Sequence, residues 1–339
     1  MKPLILVGTA AIALAALVGL VIAFGGPGEP PPMASINDPF KNVDYAGMPA
    51  ASQFKARDGT ELTYRIYAPN VGTNVDTNAN KNGNPNGNPN GSVILVHGSS
   101  ARGSSMHVLA KAFAAAGTTA YALDVRGHGD SGTKGFIAYV GQLEDDLEDF
   151  SRAVEPAQPA TLAGFSSGGG FALRFAGSDR QKLFSNYLLL SPFIGQNAPT
   201  YRPNSGGWVS VGLPRFVAIG LLNAVGVHAF NEMPVVRFAL NDKAKALLTS
   251  HYSYALALNF RPQRDYQANI RAAGQPMRLV AGQADEAFFT DRFADVFKAE
   301  GKDVPVTLLP GIGHIPLTLE PAAVQAAVAA VRSMNEARR

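Results

Sequence analysis

The chain has 339 residues, of which 46% are hydrophobic and 16% charged; 29 basic and 26 acidic residues leave a formal charge of +3. That is enough for one large domain with insertions or two modest ones, and it excludes an intrinsically disordered chain. The absence of cysteine excludes a disulfide framework, a thiolate nucleophile and a Cys-ligated metal, and no basic stripe with interleaved aromatics points to nucleic acid.

The first element is the uncharged run PLILVGTAAIALAALVGLVIAF, residues 3–24, after Met1 and Lys2. At about 1.5 Å per residue a helix of this length matches the ~30 Å hydrocarbon core of a bilayer. A cleaved signal usually has a shorter apolar region and a small-x-small site. The expectation for residues 1–25 is therefore an uncleaved membrane anchor, with a cleaved secretory signal as the alternative. Lys2 on the cytoplasmic side would leave the rest of the chain exported. Residues 26–51 are rich in Pro, Gly and small side chains and read as a linker.

The main core begins at residue 52. QFKARDGTELTYRIYAP predicts a hairpin turning at Asp58-Gly59. Residues 70–91, built on repeated Asn-Gly-Asn-Pro, read as a solvated loop. SVILVHG is a short apolar run suited to a strand buried on both faces, and SSMHVLAKAFAAAG predicts a helix closed by Gly117. TTAYALDV is a second buried strand. YVGQLEDDLEDFSRAV predicts a helix with Val140, Leu143, Leu147 and Phe150 on one face. PATLAGF and NYLLLSP are further strands, with a helix from SGGGFALRFAG between them. Residues 196–265 break this rhythm and read as a cap inserted over the sheet, made of helical pieces. The alternation resumes over 266–339 with PMRLVAG, FFTDRFADVFKAEG, VPVTLLP and a final helix. Strands alternating with helices imply an α/β fold with a mostly parallel central sheet and helices on both faces.

The chemistry centres on LAGFSSGGGFALRF, a strand, a sharp turn and a helix. A nucleophile elbow requires small residues two before and two after the nucleophile, because strand and helix approach closely there. Gly164 and Gly168 satisfy this around Ser166, whereas Ser167 would have Phe165 in the crowded position. Ser166 is the candidate nucleophile, and the N–H of Ser167 becomes a candidate oxyanion donor. A phosphate-binding loop is disfavoured by the lack of a Gly-Lys-Ser/Thr ending and of G-x-G-x-x-G. A serine hydroxyl needs a base. The order Ser, acid, His selects His314, just past a strand end, and Asp285, just past another, with Glu286 and Asp291 as competing acids. Ser99, in the loop after SVILVHG, is the second candidate oxyanion donor, and His97 is expected to shape that loop. Neither H-E-x-x-H nor a metal-ligand cluster is present, so no metal or cofactor is expected.

VILVHGSS (93–100), YALDVRGHGDSG (121–132), LAGFSSGGG (162–170), LVAGQADEAFF (279–289) and LPGIGHIPL (309–317) together resemble the α/β-hydrolase superfamily, in its monoacylglycerol lipase, lysophospholipase and serine aminopeptidase-like branch. The resemblance runs from about residue 52 to the C-terminus, outside the Asn/Gly loop and the insertion. It implies a structural role for the 124–131 turn and His128. Its departures are the triple glycine after Ser167, the Asn/Gly loop and the N-terminal apolar segment. The function it implies is hydrolysis of carboxylic esters through an acyl-enzyme. The apolar cap residues Trp208, Val209, Val211, Leu213, Phe216, Ile219, Leu221 and Leu222 read either as a receiver for the acyl chain of a lipid-like substrate or as the cap's own core. A peptidase or amidase with the same triad, and a catalytically silent binding fold, are the alternatives.

Overall fold

The computed structural model describes residues 2–69 and 90–338. The expected solvated loop 70–91 therefore lies outside the described residues except for Asn90 and Gly91. In chain order the elements begin with α1 (Lys2–Phe24), α2 (Ala34–Asn37), β1 (Ser52–Lys55), β2 (Glu61–Tyr67), β3 (Ser92–Val96) and α3 (His107–Ala115). Next come β4 (Thr119–Leu123), α4 (Gln142–Val154), β5 (Ala160–Phe165), α5 (Ser167–Ala176) and β6 (Asn186–Leu190). The cap region holds β7 (Val209–Val211), α6 (Leu213–Ala224), β8 (Pro234–Phe238), α7 (Asp242–Leu247), β9 (His251–Ser253) and α8 (Tyr254–Asn259). The chain closes with α9 (Tyr266–Ala272), β10 (Met277–Gly282), α10 (Phe293–Ala299), β11 (Val306–Leu309) and α11 (Pro321–Glu336).

Eight strands form one sheet in the order β1-β2-β4-β3-β5-β6-β10-β11. The pairs β1/β2 and β2/β4 are antiparallel and every other pair is parallel. The four central strands β3, β4, β5 and β6 are buried at every residue, which is why they read as unbroken apolar runs rather than as alternations. Helices α3 and α11 pack together on one face, while α4, α5 and α9 cover the other. Leu143, Leu147 and Phe150 of α4 are buried as their spacing predicts, but Val140 precedes the helix and is exposed. At the β1–β2 turn, Gly59 takes φ 87° and the Thr60 N–H donates to the Asp58 carboxylate, the geometry that Asp-Gly favours.

The cap differs from an assembly of helical pieces. Alongside α6, α7 and α8 it contains a three-stranded antiparallel sheet in the order β7-β8-β9. Two of its strands are three residues long, too short for a period-two pattern to show in sequence.

The membrane-anchor expectation is corrected, and with it the exported location that rested on it. Among the described residues no helix is long and apolar enough to cross a membrane. The apolar run forms α1, and its C-terminal end docks on the protein itself. Ile22 is buried, Val18 and Val21 pack against the core cluster, and α1 lies along α6. The Arg215 guanidinium donates to the carbonyls of Ile22, Ala23 and Pro234, satisfying helix-end acceptors that would otherwise need water.

Candidate active site

Ser166 sits between the last residue of β5 and the first of α5, with φ 55° and ψ −119°, a strained conformation for a residue with a side chain. The turn is held from both sides: the Ser166 N–H donates to the Leu190 carbonyl and the Phe193 N–H donates to the Ser166 carbonyl, each at 2.9 Å. The two flanking glycines have no room for a side chain. A Cβ on Gly164 would lie 2.1 Å from the Gly168 carbonyl oxygen, and one on Gly168 would lie 2.4 Å from that of His97. The strand and helix can cross this closely only because both positions are glycine.

The loops after β10 and β11 bring the other two groups to the same sheet edge. They are zipped together by the Gln283 N–H donating to Leu309 and the Ala284 N–H donating to Ile312. His314 Nδ1 donates to Asp285 Oδ2 at 2.8 Å, which leaves Nε2 to accept from the Ser166 hydroxyl at 3.0 Å. All three residues are buried, with exposures of 7%, 4% and 2% for Ser166, His314 and Asp285. Asp285 Oδ1 also accepts from the N–H groups of Ala287 and Phe288. Burial pushes the Asp285 carboxyl pKa up, but the charge and hydrogen bond of His314, with the Ala287 N–H, bring it below its ordinary value. The competitor Glu286 accepts from the backbone N–H of His314 at 3.0 Å, so it fixes the loop and not the ring. Asp291 lies in the turn Thr290–Arg292 and is exposed. Phe165 and Phe288 flank the imidazole, with ring centroids 4.7 and 5.3 Å away.

Ser167 opens α5, so its N–H has no acceptor within the helix. Ser99 lies in the loop after β3, and its N–H has no acceptor among the described residues. Three side chains shape that loop. Trp208 Nε1 donates to Ser99 Oγ at 2.9 Å. The Ser100 N–H donates to the hydroxyl of Tyr252 on β9, which in turn donates to His128 Nε2 at 2.7 Å. His97 donates from Nδ1 to the Gly98 carbonyl and accepts the Val125 N–H at Nε2. Burial pushes His97 down to about 4 and His128 well below its ordinary value, so both are neutral structural groups. The 124–131 turn is structural too: the Asp124 carboxylate accepts from the N–H groups of Gly103 and Asp130.

Ser166 and His314 open onto two cavities. The outer one, about 610 Å³, is mostly apolar. Part of its wall comes from the expected linker: Ile36, Phe40, Val43, Tyr45 and Met48 line it opposite the Ser99–Met106 loop and α7. Sequence reasoning missed these residues, and only the presence of several bulky apolar side chains within a Pro/Gly-rich stretch hints at them. The inner cavity, about 70 Å³, lies under the cap. Of the expected acyl-receiving residues, Trp208, Val209, Val211 and Phe216 line it. Ile219 is buried, while Leu213 and Leu221 are 62% and 67% exposed. Arg261 also lines it and was not singled out from the sequence. Among the described residues no group of three or more His, Asp and Glu side chains is placed to hold a metal.

The fold has counterparts among known proteins. Over 108 residues the chain is 37% identical to the monoacylglycerol lipase of Mycolicibacterium smegmatis, a stretch that is 30% of this chain and 38% of that lipase. The structure of a soluble variant of monoglyceride lipase from Saccharomyces cerevisiae superposes with a TM-score of 0.60 at 16% identity, over 87% of this chain and 98% of that one. The monoacylglycerol lipase of Paleococcus ferrophilus gives 0.56 at 18% identity, over 81% and 99%. At such identities the two structures establish the α/β-hydrolase fold. The family model described as Hydrolase_4, serine aminopeptidase S33, matches residues 87–321. That span is well over half the chain and contains every candidate site residue, so the chain belongs to this family.

Proposed function

We propose that the chain is a serine ester hydrolase acting on lipid-like carboxylic esters, of the monoacylglycerol or lysophospholipid type. The observation that carries this reading is the unbroken hydrogen-bonded series Ser166–His314–Asp285 at the floor of a large apolar cavity. In this reading the Ser166 hydroxyl attacks the acyl carbonyl while His314 Nε2 takes its proton. Asp285 holds the ring in the required tautomer and stabilises the imidazolium. The N–H groups of Ser99 and Ser167 receive the oxyanion. His314 returns the proton to the departing alcohol, and water, deprotonated by the same imidazole, releases the acid. The outer cavity volume falls within the ~300–1,000 Å³ usual for ligand sites.

The family description raises a second reading, cleavage next to a free amino terminus. A site for a substrate ammonium would need an acidic side chain near the nucleophile. Among the described residues lining the two cavities there is no Asp or Glu, and the cationic ones are Lys41, Arg102, Lys243 and Arg261. This favours the ester.

The test is hydrolysis of p-nitrophenyl esters from acetyl to palmitoyl by the chain and its Ser166→Ala variant. The expected result is turnover with a long-chain optimum, and a loss on the order of 10⁶-fold in the variant. Equal rates for the two proteins would remove the ester reading and leave an amide substrate or a silent binding fold.

A further inference from the structure

Arg261 is the unusual member of the inner cavity. It follows α8 by way of Phe260, and its N–H donates to the Asn259 carbonyl at 2.9 Å. Two other interior arginines are matched to carboxylates, whereas the buried Arg65 on β2 has no carboxylate partner among the described residues. Arg126 meets Asp146 at 2.7 Å, and Arg174 meets Glu144, which also accepts from Asn259. The Arg261 guanidinium has no ion pair and no hydrogen-bond acceptor among the described residues. Its nitrogens are not sealed in the interior, so they reach open space. The charge is partly buried beside the aromatic rings of Phe193, Tyr201 and Phe288, with Ser166 on the same cavity.

Such a cation is costly. Burial, with the nearby charge of Arg174, lowers the Arg261 pKa. Even so, an arginine stays charged in proteins. An uncompensated charge beside an apolar cavity is therefore destabilising until an anion arrives. The planar fork of a guanidinium matches a carboxylate. Size sets a further limit. At about 70 Å³ the cavity has less than half of the ~150 Å³ that accommodates benzene in an engineered cavity. A long acyl chain does not fit there, so a substrate group that enters it must be short.

We propose that Arg261 makes the inner cavity an anion subsite, so that the hydrolase accepts esters carrying a second, ionised carboxylate a few carbons from the scissile carbonyl. This deepens the ester-hydrolase reading and rests on Ser166 as the point of cleavage. A monoalkyl ester of a short dicarboxylic acid is the simplest such substrate. Its acyl–oxygen bond breaks, water supplies the hydroxyl to the acyl carbon and a proton to the departing alcohol, and the new carboxyl group releases its proton to solvent to leave a dicarboxylate. For such a substrate the outer cavity holds the alcohol portion, where a simple long-chain ester would place its acyl chain.

The probes are the monomethyl esters of succinic, glutaric and adipic acids. Each is paired with a neutral isostere in which isopropyl replaces the carboxylate. Binding is measured by calorimetry to the Ser166→Ala chain, so it does not depend on turnover. At least one acid monoester is expected to bind ten or more times tighter than its isostere. Arg261→Met is expected to erase that difference, and Arg261→Lys to keep part of it. In the active chain, Arg261→Met should cut kcat/KM for that monoester at least tenfold and change the isostere less than threefold. Its Tm should be equal to or above that of the parent, because an uncompensated charge has been removed. Equal binding of every pair, or an Arg261→Met loss that falls on both members alike, overturns the subsite. Preferential binding with no turnover of any ester would keep the subsite and overturn the esterase reading instead.

Discussion

His97 and His128 lie edge to face, with ring centroids 4.8 Å apart, and both are fully buried. Their neutral forms hold the loop that presents Ser99, so protonation must break hydrogen bonds the fold requires. His97 has its pKa lowered from 6.5 to about 4. Below pH 6.5 the unfolded chain takes up a proton that the folded one refuses. Stability from this group is therefore complete above about 6.5, falls as the pH drops, and levels off near 4. Each tenfold change in proton affinity is worth about 1.36 kcal/mol, so the loss across that window is about 3 kcal/mol. His128 is depressed in the same direction. Asp285 acts lower on the scale: its folded pKa is lowered, so its contribution is present above the unfolded carboxylate value and lost as the pH falls through the folded one. Denaturant unfolding between pH 7.5 and 4 should show stability declining with acid well before the carboxylates titrate. His97→Gln, which keeps a donor and an acceptor but does not titrate, should have a shallower slope by about one proton. Equal slopes for the two proteins would mean that His97 is protonated in the folded state.

At the scale of elements, the elbow and the loop-borne histidine were readable because each depends on local spacing. Glycines two positions either side of Ser166, and a histidine just beyond the last strand, carry their signal within a few residues. The cap was not readable in the same way. β9 is only His251, Tyr252 and Ser253, and the importance of Tyr252 comes from residues far along the chain. Its hydroxyl accepts the Ser100 N–H and donates to His128, tying the cap sheet to the loop that carries Ser99. Tyr252→Phe leaves two buried polar groups without a partner, at roughly 1–3 kcal/mol each. The expected result is a Tm several degrees lower and a kcat reduced about tenfold, with KM on a short p-nitrophenyl ester within twofold, since in the proposed reaction the loop binds the oxyanion and not the ground-state ester. A higher KM with kcat unchanged would instead assign Tyr252 to the cavity wall.

Across the whole molecule, the outer cavity is assembled from parts of the chain that composition reads as unrelated. Residues 33–48 resemble a tether by their prolines and small residues, yet they are fastened to the cap beside α7. The Met33 N–H donates to the Ala239 carbonyl, Asn37 Nδ2 donates to the same oxygen, and the Asn241 N–H donates to Asn37 Oδ1. No periodicity announces this, because the partners lie some two hundred positions away and the segment forms only a single helical turn and a 3₁₀ turn. Its function is tested at Phe40, which is partly buried, lines the cavity and has no polar side-chain atom to act on Ser166 or His314. An acyl chain long enough to reach Phe40 gains burial worth about 1.5–3 kcal/mol from such a ring, and an acetyl group gains none. Phe40→Ala should therefore lower kcat/KM for the palmitoyl ester by about tenfold or more and leave the acetyl ester within twofold. An equal loss on both esters would show that residues 33–48 support the fold and do not select the substrate. A loss confined to the long chain would place the boundary of the active site outside the hydrolase core, in a segment that only the folded cap holds in place.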